Sequence, residues 1–194
     1  MGECRVYESF PRGETIGMQP QNDVRIATLL DAYFSADYRW ELDRDWRLLG
    51  IGKPAPEIEA AFPDSASFGL LSAWDPYSVP RPEAINRSAD EALHTTLLAS
   101  GLPFRPGFSS APNRSWREPS WVVMDMADAD FDRLALRYGQ LGTLAWKRGQ
   151  PIHLRMYARQ PLMAKPRDFV EWTGKVARAP AVFPAPAKSG PHER

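Results

Sequence analysis

A chain of 194 residues, 43% hydrophobic and 11% aromatic, is long enough for one core and too apolar for a disordered segment. Its 24 basic side chains meet 24 acidic ones, so the basic excess that gives nucleic-acid binders their non-specific affinity is missing. No apolar run approaches the roughly 20 residues of a spanning helix, and the opening Met1–Glu8 is too polar for a signal peptide.

Residues 1–22 carry Gly, Pro and Gln without periodicity and are expected to form a flexible arm. The lone cysteine, Cys4, lies there, so no intrachain disulfide can form and cytoplasmic residence is the expectation. Asp23 caps a predicted helix that runs to Ser35, with Ile26, Leu29, Leu30 and Tyr33 at helical spacing. The period then changes. Tyr38, Trp40 and Leu42 alternate with Arg39, Glu41 and Asp43, and Trp46–Leu49 resumes the apolar theme, which predicts a β-hairpin with one buried face. After Gly50 and Gly52, Pro54–Glu57 opens a short helix carrying Ile58, Ala61 and Phe62. Phe68–Trp74 is a nearly continuous apolar run, the pattern of a central strand. It delivers the turn Asp75-Pro76-Tyr77-Ser78. From Pro82 a helix is expected to place Ile85, Ala89, Ala92, Leu93, Thr96 and Leu97 on one face, ending at Gly101.

Phe104 and Phe108 belong to the next extended piece, Ser109–Pro119 reads as a polar loop, and Trp121–Met124 as a second buried strand. Asp128 caps a helix with Phe131, Leu134, Ala135 and Tyr138 inward, ended by Gly139. Thr143–Trp146 and Ile152–Tyr157 are predicted strands, the latter with Ile152, Leu154 and Met156 inward and His153, Arg155 and Tyr157 outward. Over residues 161–194 the prolines Pro166, Pro180, Pro184, Pro186 and Pro191 interrupt a Pro/Ala-rich stretch, expected to be a mostly disordered tail. The element order over residues 23–160 predicts a single α+β domain: a mainly antiparallel or mixed sheet with helices packed on it.

The motifs Leu71-Ser72-Ala73-Trp74-Asp75-Pro76-Tyr77-Ser78, Glu83-Ala84-Ile85-Asn86-Arg87, Gly101-Leu102, Glu118-Pro119-Ser120-Trp121 and Tyr138-Gly139-Gln140 occur in this order. In them the chain resembles DUF3293, a bacterial family of small proteins with no established activity, over roughly Tyr38 to Trp146. The family usually carries asparagine where this chain has Asp75. Both accept a hydrogen bond, but only the amide donates one once the acid is ionised. The resemblance implies no catalytic residue and no substrate.

Metal chemistry has little to stand on. His94, His153 and His192 are scattered, and no His-x-x-x-His or Cys-x-x-Cys spacing occurs. No metal and no cofactor is expected, although Asp75, Glu118 and Asp125 together would make an oxygen-donor magnesium set. There is no Gly-x-Ser-x-Gly elbow and no Gly-x-x-x-x-Gly-Lys loop, and Gly139–Gly142 reads as a helix end followed by a strand. Arg105, Arg114, Trp116, Arg117 and Trp121 interleave cations with aromatics, which suits either a stacked base or a lid over the core. The candidate ligand-binding residues are Trp74, Asp75, Ser78, Asn86, Trp116, Arg117, Glu118, Ser120 and Gln140. Most are polar residues at element ends, where core packing does not ask for them. The leading expectation is a non-catalytic ligand-binding or protein-interaction domain, its partner a small polar ligand or a protein rather than a membrane or nucleic acid. An enzyme on a small polar substrate, with Asp75 or Glu118 as general base, is the alternative. A nucleic-acid accessory protein using the Arg114–Trp121 loop is the third reading.

Overall fold

The computed structural model describes residues 19–162 and 165–176; most of the expected arm and the end of the expected tail lie outside the described residues. Eight strands follow in chain order: β1 (Asp37–Leu42), β2 (Asp45–Leu49), β3 (Ser67–Leu71), β4 (Phe104–Ser110), β5 (Arg117–Met124), β6 (Gly142–Lys147), β7 (His153–Met156) and β8 (Val170–Trp172). The helices among the described residues are α1 (Gln19–Ser35), α2 (Pro56–Ala61), α3 (Glu83–Ser100) and α4 (Asp128–Arg137). The strands form one mixed sheet in the order β2-β1-β4-β5-β3-β6-β7-β8. Every pairing is antiparallel except β7 with β8. The expected α+β architecture is the one observed.

Both faces of the sheet are covered, and the period-2 alternation decides which residue goes where. On one face Trp40, Phe68, Leu70, Val122, Leu144 and Leu154 meet Ile26 and Leu30 of α1 and Ile58 of α2. On the other, Leu71 and Val123 meet Leu93 and Leu97 of α3 and Phe131 and Leu134 of α4. The second layer explains a departure from the sequence reading of β7. Tyr157 was expected outward but is 0% exposed, because α4 lies over that face and offers Asp132 to its hydroxyl at 2.8 Å.

The sheet is strongly curled. In a flat sheet β2 and β7 would lie six inter-strand spacings apart, roughly 30 Å. Yet Gly52 N donates to Ile152 O (2.8 Å) and Ile152 N to Lys53 O (2.9 Å), and the chain from Leu49 to Gly52 reaches only about 10 Å. The exit from β2 therefore closes on β7, bringing α1 down onto an enclosed, concave face.

Four further expectations are corrected. The first helix begins at Gln19 rather than Asp23, inside the expected arm. Both ends of the expected polar loop are strand: Ser109 and Ser110 end β4 and Arg117–Pro119 begin β5, paired Ser109↔Glu118 and Ser110↔Arg117. The buried face of α3 is rotated, with Asn86, Leu93 and Leu97 inward and Ile85 51% exposed. Beyond Pro161 the chain is not irregular throughout. β8 pairs with β7, and Val170 and Trp172 pack on the core. Among the described residues no helix is long and apolar enough to cross a membrane.

Candidate functional site

The site begins where β3 ends. Ser72 Oγ donates to Pro119 O (2.7 Å) and accepts from Trp74 N (3.0 Å), fastening the strand exit to β5. The following turn is strained: Asp75, Tyr77 and Ser78 have φ of 41°, 60° and 53°, a region costing non-glycine residues of order 1–3 kcal/mol each. Two clamps hold it. Asp75 N donates to Asn86 Oδ1 (3.0 Å), while Asn86 Nδ2 (2.7 Å) and Arg81 N (3.2 Å) donate to Asp75 Oδ1. From the far side, Tyr77 N donates to Gly139 O (2.7 Å) and Gln140 Nε2 to Trp74 O (3.1 Å). Gly139, itself at φ 65°, has no room for a side chain: a Cβ there would stand 2.9 Å from Pro76 and 3.0 Å from the Tyr77 ring. Turn, helix start and the α4–β6 junction thus form one unit.

Beside this unit lies a cleft of about 270 Å³. Its floor is apolar, with Leu70, Leu144 and Leu154 from the sheet, and Leu29, Ala32 and Tyr33 of α1 form the opposite wall. Trp74, Asp75, Ser78, Trp116, Glu118, Ser120 and Gln140 all line it, so the structure gathers seven of the nine candidate residues from separate segments. The other two are placed differently. Asn86, 2% exposed, stands behind Asp75 and holds it. Arg117 faces the opposite way, because successive residues of β5 alternate faces. Its guanidinium carbon sits 3.8 Å from the Phe108 ring centroid and 5.6 Å from that of Trp46.

The same alternation disperses the arginine–tryptophan segment. Trp121 stacks on His94 at 4.7 Å and donates to Asp90 Oδ1 at 3.0 Å on the α3 side, whereas Arg105 lies over Phe62 at 5.1 Å. Of these arginines and tryptophans only Trp116, 41% exposed, reaches the cleft. Asp125, weighed as a magnesium ligand with Asp75 and Glu118, instead accepts from Ala66 N (2.7 Å) and Ser67 N (3.2 Å). Among the described residues no group of three or more His, Cys, Asp or Glu is placed to hold a metal ion.

Electrostatically the cleft is one-sided. None of its lining residues is Lys, Arg or His. Burial, and secondarily the charge of Asp75, push the Glu118 carboxyl up to about 7. Among the described residues that carboxylate has neither a hydrogen bond nor an ion pair. Tyr33 OH lies 3.2 Å from Ser78 Oγ, and burial pushes its phenol up to about 12 against the Ser78 hydrogen bond. Tyr38 OH is committed to Tyr33 O at 2.9 Å. Asp75 has its partners; Glu118 is the group left to accept a proton or a cation. Tyr33, Tyr38 and Ser109, with Ser72 and Thr143, add to the polar lining and escaped the sequence reading. Tyr33 and Tyr38 sit on apolar stripes, where an aromatic reads as core, and Ser109 looked like loop.

The family model described as a protein of unknown function, DUF3293, matches residues 71–142. That span is narrower than the stretch from Tyr38 to Trp146, and it contains all nine candidate residues. It leaves out the α1 wall. No curated protein and no solved structure matches the chain.

Proposed function

We propose that this chain is a small-ligand-binding protein whose ligand occupies the cleft between α1 and the curled sheet. One observation carries the reading: polar side chains from the β3–α3 turn, β4, β5 and the α4–β6 junction converge on an apolar-floored cavity of about 270 Å³. Ligand sites are built this way, from a largely apolar concavity with a few placed polar groups. A cavity of roughly 150 Å³ accommodates benzene, so the volume suits a molecule of up to about twice that size. The backbone strain at Asp75, Tyr77 and Ser78 supports the reading, since such strain collects at functional sites.

A second reading is favoured by Glu118. A carboxyl near 7 without a partner has the poise of a general base at neutral pH, which would make the cleft catalytic for a small polar substrate. The two are separated by one pair of measurements. Fragments of up to about twelve heavy atoms, screened by amide and indole NMR shifts, should perturb the indole signals of Trp74 and Trp116 together. Hits that map only to the groove beside Asp128 and Arg155 on the opposite face, or no hits, would defeat the binding reading. For any hit that also turns over, Glu118→Gln should lose turnover by a far larger factor than it weakens binding.

A further inference from the structure

We infer that the ligand of this cleft is a small organic amine, bound as its ammonium ion with an apolar or aromatic body; this rests on the cleft being the ligand site. The acceptors and the charge of the wall point to it. Gln140 is 9% exposed, and its amide orientation is fixed because Nε2 donates to the Trp74 carbonyl at 3.1 Å. Its Oε1 therefore faces the site as an acceptor, with no partner among the described residues. Ser109, 8% exposed, lines the same cavity with a hydroxyl in the same position. The Glu118 carboxylate adds two more unpaired acceptor oxygens.

The wall has donors too, all of them neutral: the Trp74 indole N–H is buried without a partner, and the Ser109 hydroxyl can donate as well as accept. The Tyr38 hydroxyl donates to the Tyr33 carbonyl, and the bond between the Tyr33 and Ser78 hydroxyls uses one of their two hydrogens. What selects a cation is charge: the wall carries two carboxylates and no Lys, Arg or His, and an unpaired buried carboxylate weakens any complex that leaves it so. An anionic ligand is disfavoured: it would meet two carboxylates and no lining cation. An ammonium head supplies three donors and a charge that Glu118 lacks. Trp74, Trp116 and the tyrosines supply aromatic surface that suits a cation and its organic body. The neighbouring cations are already engaged. Arg81 donates to Asn86 Oδ1 and to Ala73 O at 2.8 Å and offsets Asp75, and Arg25 of α1 donates to the Tyr77 carbonyl.

The groups facing Glu118 are Asp75 from the turn, Tyr33 from α1 and Tyr38 from β1. Neither tyrosine ionises near neutrality, so the acid dependence of binding follows Glu118 itself. Three probes with one body decide the matter: 2-phenylethylamine, 2-phenylethanol and phenylacetate, titrated by calorimetry at about pH 6 and about pH 8. The amine should bind, the alcohol about tenfold or more weaker, and the carboxylate not measurably. Amine affinity should rise from the lower to the higher pH, and Glu118→Gln should cut it about tenfold and flatten its pH dependence. Melting of the variant by circular dichroism checks that it is folded, and Gln140→Leu provides an independent loss of acceptor with the same expected weakening. Alcohol binding as tight as amine binding overturns the amine class while leaving the cleft as a ligand site. Amine binding untouched by both substitutions places the amine elsewhere and overturns the cleft reading as well. No binding by any probe overturns the amine inference.

Discussion

Asn86 makes three hydrogen bonds from a side chain that α3 buries almost completely. Replacing it with alanine strands Asp75 N and Arg81 Nε in a poorly solvated corner, leaves Asp75 Oδ1 with Arg81 N alone and loosens a strained turn. The expected loss is about 2–3 kcal/mol, from the cost of unsatisfied buried groups. Urea denaturation reading less than about 1 kcal/mol would mean that the turn is held from the Gly139 side alone. Glu118 behaves oppositely. Its folded value lies above the ordinary carboxylate range, at about 7, so the folded state holds its proton more tightly than the unfolded chain. Stability from this group is complete below about pH 4 and is lost as pH rises through about 7. Glu118→Gln should therefore raise the melting temperature at about pH 8 relative to wild type, with little effect near pH 4; an equal shift at both would remove the titration account. At Asp75, φ is 41°, a conformation asparagine tolerates well. An amide there still accepts from Asn86 and Arg81. Asp75→Asn should keep stability within about 1 kcal/mol and lower the Glu118 titration midpoint, followed by side-chain carboxyl NMR.

At the scale of elements, α4 is pinned to the β7–β8 edge through one carboxylate. Asp132, with a side chain 2% exposed, accepts from Arg155 Nε (2.6 Å) and Nη2 (2.8 Å), Tyr157 OH (2.8 Å) and Lys175 Nζ (2.6 Å). Burial opposes its ionisation, but the hydrogen bonds from Arg155, Lys175 and Tyr157 outweigh it and hold the carboxyl well below the usual range. That stability is present above the ordinary carboxylate value and lost only as pH falls through the depressed one. Asp132→Ala takes from the largely buried Arg155 its two-bond partner, leaving it Glu171 alone, and should cost about 3 kcal/mol. The measurement is an equilibrium unfolding curve near neutral pH, and a loss under about 1 kcal/mol would show that water replaces the pair. α4 also presses on β3: a Cβ at Gly69 would run into the Phe131 ring, which is why this strand carries a glycine at mid-length.

For the whole molecule, the segment after Pro161 is part of the folded unit. Leu154 N donates to Phe169 O (2.8 Å) and Thr173 N to Met156 O (3.1 Å), while Arg155 pairs with Glu171 and Arg167 with Asp31. A chain ending at Pro161 loses these together with the burial of Val170 and Trp172. It should melt about 10 °C below a chain ending at Val176, at roughly 2–4 °C per kcal/mol for a protein of this size. Equal melting temperatures would show that β8 merely lies on the edge. Since α1 receives Arg167 as an ion-pair partner and forms a wall of the cleft, the shorter chain also tests whether the far edge of the sheet steadies the site.

Local pattern was enough for most of the elements. Alternation gave β1, the 3.6 period gave α1 and α4, and the polar turn after Leu71 marked one side of the candidate cleft, because each signal is carried by side chains close in sequence; the apolar run of β2 gave the strand but not its exposure, with Leu48 62% exposed. Direction across the sheet was another matter. A strand shows its inward face only when one set of alternate residues is apolar. In Arg117-Glu118-Pro119-Ser120 neither set is, so nothing local says that Glu118 and Ser120 enter the cleft while Arg117 leaves it. The register with β4 decides that. The rotated face of α3, the buried Tyr157 and the ordered β8 follow from a second helical layer and a curled sheet that no short window contains. The Glu118 proton is likewise tertiary: its affinity comes from burial under α1 and from Asp75, 43 positions away in the chain, and burial and charge act through space.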